Sequence, residues 1–373
     1  MKTKNRFKFL LIAAFAIFTM TSCDTQNDIE EAPNPVISTG LFVLNSGSMD
    51  SNNSTLNYFD FSTQFVTSDV FNAKNNRGLG DTGQDMIQYG SKIYISVNNS
   101  SIIEVIDAKT AVSLKQIPML DIVSGSKSYP RYFAVANGKV YVTLWDKTLG
   151  KVGKGNVALL DTTTLTVTKI TAVGSYPEGC AIVNNKLYVA NSGGLNPVSD
   201  STLSIVDLTS FTEIKKVKVG LNPTSVKADN YGELYIITMG DYISIKPLLV
   251  KFNCNTEKIT ELPNVKATLM TIAGDKAYMY YNDYVNYVAQ NNQQFNVYDV
   301  KNDPATTTSF ISANLITTNT SSIDVDPNTN LIYISETDYK NNGTMHCFNS
   351  AGVEQYKFTT GLNPQKVIFI SKK

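Results

Sequence analysis

The sequence predicts an all-β fold, a seven-bladed β-propeller whose N- and C-terminal strands close one sheet together. Three observations carry this expectation. A unit returns about every 47 residues, each unit holds the same apolar-Tyr-apolar strand, and the two ends carry fragments of a unit that complete each other.

The elements follow in chain order. Residues 1–22 read as a lipoprotein signal peptide. Lys2, Lys4, Arg6 and Lys8 form a positive stretch, and Phe9 to Met20 is an apolar run too short to span a bilayer. Thr21-Ser22-Cys23 resembles the end of a bacterial lipobox, with Met20 where Leu is usual, so Cys23 is expected to be lipidated. Residues 23–38 are polar and acidic with two prolines, and read as a flexible tether. Removing the signal lowers Lys+Arg from 32 to 28 against 32 Asp+Glu, so the mature protein is slightly acidic.

Residues 39–373 hold the repeat. Its second strand is Ile93-Tyr94-Ile95, Val140-Tyr141-Val142, Leu187-Tyr188-Val189, Leu234-Tyr235-Ile236, Ala277-Tyr278-Met279 and Ile332-Tyr333-Ile334. The tyrosines are spaced by 47, 47, 47, 43 and 55 residues. The third strand ends in an apolar residue and Asp, at Asp60, Asp107, Asp161, Asp207 and Asp299, with Asn253 and Asn349 as variants. Tight turns such as Asn137-Gly138 and Asn184-Asn185 precede the Tyr strands, as hairpins require. Six complete units start near Gly83, Pro130, Pro177, Pro223, Ala267 and Ser321. Leu362 to Ile370 is a lone first strand, and Leu41 to Phe61 supplies a second and third strand without a first. Together they make the seventh blade and leave no open sheet edge.

Composition excludes several functions. The balanced charge gives no field for tracking phosphates, which argues against nucleic-acid binding. One His and four Cys leave little material for a metal site or a disulfide scaffold. Cys180, Cys254 and Cys347 lack zinc-like spacing, although one disulfide remains open to them. His346 sits inside a strand and reads as structural, and no Ser-His-Asp order exists without it. No catalytic residue, metal or cofactor is expected, and a binding role is preferred to an enzymatic one.

The loops between second and third strands are long, whereas the other hairpin turns are tight. Loop length therefore gathers on one face, where the long connections Asn72 to Gly83 and Asp121 to Tyr129 are also placed. Those loops carry Tyr129, Trp145, Tyr176, Tyr242, Tyr284, Tyr287 and Tyr339, with Tyr281 at the start of one loop, among many Asn, Ser and Gly, the composition of an adaptable binding surface. The residue after each repeat start is polar: Gln84, Arg131, Glu178, Thr224, Thr268, Ser322 and Gln365. These are expected to ring the mouth of the central channel on the same face, with Arg131 and Glu178 free to pair. All of them except Thr268 join the seven aromatic residues as candidate ligand-binding positions.

The lipobox, the acidic tether and the repeated Leu-Tyr-Val, Val-Asp and Gly-Leu-Asn-Pro units (Gly220 to Pro223 and Gly361 to Pro364) resemble YncE-like surface propellers of Bacteroides, and among them the BtuG type of cell-surface cobalamin-binding lipoprotein. The resemblance covers nearly the whole chain. It implies a lipid-anchored protein on the outside of the outer membrane that binds cobalamin (vitamin B12) and other corrinoids. It also implies delivery of the ligand to a TonB-dependent barrel transporter of the BtuB type. Two other readings stay open, a glycan-binding surface propeller and a propeller that only docks a transporter.

Overall fold

The computed structural model describes residues 36–120, 127–146, 154–194 and 196–372. The signal peptide, Cys23 and most of the tether lie outside them, as does most of the connection from Asp121. The described chain forms seven four-stranded antiparallel sheets, each running outward in chain order from its first strand. Blades are numbered here from the N-terminus. The inner strands of blades 2 to 7 are Gly83–Tyr89, Tyr129–Ala136, Pro177–Val183, Pro223–Ala228, Leu269–Ala273 and Ile323–Val325. Blade 1 takes its inner strand from the end of the chain, Pro364–Lys372, which pairs antiparallel with Ile37–Asn45. The closure expected from the sequence is thus present.

The repeated tyrosine has a packing role. Strand side chains alternate between faces, so the Tyr points away from its apolar neighbours and into the next blade. Tyr94 of blade 2 packs with Val140 and Val142 of blade 3. Tyr188 packs with Leu234 and Ile236, Tyr235 with Ala277 and Met279, and Tyr333 with Leu41 and Val43. Blade 1 uses Phe42 in the same way against Ile93 and Ile95 of blade 2. The core is therefore a ring of inter-blade layers.

The repeated Asp also has a structural role. Asp207 accepts from the backbone N–H groups of Thr209 (3.0 Å) and Ser210 (2.8 Å). Asp60, Asp107, Asp161 and Asp299 repeat the pattern, and Asn253 reproduces it with Asn255 (3.1 Å) and Thr256 (3.0 Å). An Asx turn needs a side-chain oxygen and no charge, which explains the Asn variants.

Two expectations need correction. The propeller starts at Ile37 rather than residue 39, because Ser38 pairs opposite Ser371 and its hydroxyl donates to Asp326 (2.7 Å). The connection from Asn72 does not lie wholly on the long-loop face. Blade 1 has only Val66–Thr67 as its outer strand, and a short helix, Val70–Asn75, covers the exposed flank. Phe71 is buried there, and Asn75 bonds Ala111 and Ser113 at a tight-turn end. Only the following residues reach the long-loop face, where Gly80 bridges Ser54.

Candidate functional site

The inner strands surround a channel of about 160 Å3, lined by Gln84, Thr224, Thr268, Ser322 and Gln365 at one level. These are five of the seven polar positions singled out in the sequence. Each lies at or just before the start of an inner strand, so the strand starts place them at one end of the channel. Gln84 and Ser322 are buried, and Thr224, Thr268 and Gln365 are half-buried. The remaining two, Arg131 and Glu178, pair beside the lining. Arg131 donates through Nε (3.0 Å) and Nη2 (2.8 Å) to Glu178 Oε2, and through Nη1 to Gln84 Oε1 (2.5 Å). Gln84 Nε2 in turn donates to the Tyr132 hydroxyl (3.0 Å). Burial pushes the Glu178 carboxyl above the usual carboxylate range, against the pull of Arg131.

Trp145, the one tryptophan, stands over this group. The Arg131 guanidinium lies 4.1 Å from an indole ring centre, the indole N–H donates to Pro177 O (3.0 Å), and Tyr176 meets the ring edge-on at 5.1 Å. Tyr176 is 5% exposed, so it supports Trp145 more than it presents a surface. Tyr129 pairs opposite Trp145 in the blade ladder and is half-buried.

A second aromatic group comes from blades 5, 6 and 7. Tyr242 meets Tyr284 edge-on at 5.8 Å and Tyr287 at 5.8 Å, and Tyr287 N–H donates to Tyr242 O (3.0 Å). Tyr284 is close enough to Tyr339 to raise the Tyr339 hydroxyl electrostatically, behind the larger effect of burial. Tyr287 is 69% exposed and Tyr339 is 51% exposed. Tyr242 is also within electrostatic reach of Glu178, which links the tyrosine group to the Arg131 group.

The backbone beneath these rings is strained. Tyr176, Tyr242, Tyr287 and Tyr339 have φ of 47°, 59°, 65° and 62°, a region that bulky residues rarely occupy. Such conformations cost about 1–3 kcal/mol each and persist only where the surroundings enforce them. Aspartates brace the loops that carry Tyr242, Tyr287 and Tyr339. Asp241 accepts from the N–H groups of Ile243, Ser244 and Ile245, and Asp338 from those of Lys340 and Asn341. Asp283 accepts from Tyr284 N–H (2.8 Å). Those backbone donors hold the Asp338 carboxyl down at about 2 and also lower Asp241.

The structure brings all thirteen candidate positions to the long-loop end of the propeller, in two groups that meet the ring of strand starts. Sequence reasoning missed the dipeptide behind the second group. Asp-Tyr recurs at 241–242, 283–284 and 338–339, in the second-to-third loops of three successive blades. It also missed the extra hairpin of Tyr284–Val285 and Val288–Ala289, and the charged channel residues Asp85, Lys227, Asp324 and Lys366. Their strands read as apolar, and only the radial arrangement turns those positions inward.

His346 is 1% exposed and contacts Glu354 (2.6 Å) through Nδ1 and Glu336 (3.1 Å) through Nε2. Cys180, Cys254 and Cys347 are free thiols, so the disulfide left open above does not form among them. Among the described residues, no cluster of His, Cys, Asp and Glu could hold a metal ion.

No family model matches the chain, and no curated protein matches it. Solved structures do. A quinoprotein alcohol dehydrogenase-like protein from Bacteroides thetaiotaomicron is similar with a TM-score of 0.64 and 15% identity, over 90% of this chain and 79% of that one. A hypothetical selenium-binding protein from Sulfolobus tokodaii gives 0.63 and 12%, over 90% and 94%. Hydrazine synthase from Kuenenia stuttgartiensis gives 0.57 and 14%, over 74% and 85%. At these identities the likeness establishes the β-propeller fold alone.

Proposed function

We propose that the protein is a surface lipoprotein that binds cobalamin and other corrinoids on its long-loop face and passes them to a TonB-dependent barrel transporter of the BtuB type. Exposed tyrosines held in strained conformations beside a ring of amide, hydroxyl and guanidinium groups carry this reading. Strain of that kind is kept where a surface must have one shape. A corrinoid is a broad macrocycle ringed by amide side chains, with one phosphate in its nucleotide loop. Tyrosine rings supply contact area at low entropic cost, and Gln84, Gln365, Ser322 and Thr224 supply hydrogen bonds to amides. The channel, at about 160 Å3, is well below the roughly 300–1,000 Å3 of an enclosed small-molecule pocket, so the ligand would lie across the face. Anchoring through Cys23 and exposure outside the outer membrane follow from the sequence resemblance described above.

Calorimetric titration of the purified protein with cyanocobalamin tests the proposal. Saturable binding at micromolar concentration or tighter supports it, and neither heat nor retention at that concentration rejects it. Binding to polysaccharide arrays without corrinoid binding would favour the glycan reading. Co-purification of a barrel without small-molecule binding would favour the docking-only reading.

A further inference from the structure

Deeper in the channel than the ring of strand starts lies a set of charges that the proposed face does not use. Asp85 from blade 2, Lys227 from blade 5, Asp324 from blade 7 and Lys366 from blade 1 all line it. Two of the four satisfy each other. Lys366 pairs with Asp324, whose other oxygen accepts from Val367 N–H (2.9 Å). The other two do not. Asp85 accepts from Phe133 N–H (3.0 Å) and, among the described residues, has no ion-pair partner. The Lys227 ammonium has neither a hydrogen bond nor an ion pair among them. Ser322, 3% exposed and lining the same channel, has a hydroxyl without a hydrogen-bond partner.

We propose that the channel binds a small zwitterion of the α-amino acid class, its carboxylate on Lys227 and its ammonium on Asp85. Charges drawn partly out of water gain from compensation, and these two, both half-buried, are opposite in sign, stand on blades nearly across the ring and face one cavity. The four channel charges already sum to zero. A lone anion or cation would upset that balance, whereas a zwitterion preserves it. The volume of about 160 Å3 limits the ligand to amino-acid size. Ser322 and the neighbouring Ser225 and Thr268 hydroxyls are placed to complete its hydrogen bonds. The remaining titratable groups facing the site are Cys180, whose thiol is pushed up to about 12 by burial, and Tyr132, also raised by burial. Both are neutral at pH 7 and compete for neither end of the ligand. Burial and the nearby Lys366 lower the Lys227 ammonium against the pull of Asp85 and Asp324, and burial raises Asp85 against the pull of Lys366 and Lys227.

The test is calorimetry of the full chain with glycine and L-alanine, and with acetate and methylamine as single-charge analogues at equal ionic strength. The expected result is saturable amino-acid binding, with each single-charge analogue weaker by about tenfold or more. Lys227→Gln and Asp85→Asn should each weaken amino-acid binding by about tenfold or more. Asn at position 85 keeps an acceptor for Phe133, and position 227 faces open channel, so both variants should fold, which melting curves would verify. Absence of saturable amino-acid binding, acetate binding as tight as that of alanine, or unchanged affinity in Lys227→Gln would overturn the proposal. Corrinoid titration uses a different ligand, and neither Lys227 nor Asp85 belongs to the face proposed for it, so failure of one reading leaves the other standing.

Discussion

Arg131 joins the parts of the face. It holds Glu178, reaches Gln84 and lies against Trp145, with its side chain 14% exposed and that of Glu178 8% exposed. A buried pair of this kind adds little over an apolar substitute, but removing one partner strands the other. Glu178→Ala should therefore lower unfolding stability by about 3 kcal/mol. Urea denaturation measures this, and an unchanged midpoint would contradict the assignment. Tyr94 gives the opposite case. It is fully buried, and its hydroxyl has no hydrogen-bond partner. Removing an unsatisfied polar atom while keeping the ring should be neutral or stabilising, so Tyr94→Phe should raise stability by up to about 1 kcal/mol. A loss larger than that would show that the hydroxyl has a partner.

At the scale of elements, the Tyr strands and Asp turns were legible because each follows a local rule, alternation in one case and an Asx turn in the other. The short helix Val70–Asn75 was not legible, because it forms to cover a blade whose outer strand is only Val66–Thr67. Neither was the role of Asp241 and Asp338, whose partners are backbone groups that meet them only once the loop has folded. The turn aspartates give a pH prediction. Backbone and hydroxyl donors lower the carboxyls of Asp60, Asp107, Asp207 and Asp338, and for Asp161 and Asp299 a lysine partner leads. A carboxyl lowered in the native state contributes stability that is complete above its unfolded value near 4 and is lost as the pH falls through the native value. Glu178 and Asp85 act in the reverse sense. Burial raises them, so they favour the native state on protonation and weaken it as the pH rises through their raised values. The lowered group is larger, so the melting temperature should fall between about pH 4 and pH 2. Asp207→Asn should flatten that decline while keeping its turn, as Asn253 keeps the equivalent one. A melting temperature that is flat or rises over that interval would contradict this account.

For the molecule as a whole, the ring closes through Pro364–Lys372 against Ile37–Asn45. Deleting residues 364–373 would expose the edge of Ile37–Asn45 and the inter-blade layer around Val43 and Tyr333. The truncated chain should aggregate on expression, and a soluble monomer with native melting would refute closure as the source of its cooperativity. The blade count and the gathering of long loops at one end were legible at this scale because repeat number and loop length are properties of the sequence. The charged channel was not, since it exists only when seven inner strands face one axis. Trp145, the single tryptophan, gives the most direct test of ligand capture, because it stands against Arg131 beside the ring of strand starts. Its fluorescence should be quenched saturably by stoichiometric cyanocobalamin, and the double variant Tyr287→Ala, Tyr339→Ala should weaken that response by about tenfold or more. A signal that changes only through light absorption by the added ligand, or that is indifferent to both tyrosines, would contradict corrinoid binding on this face.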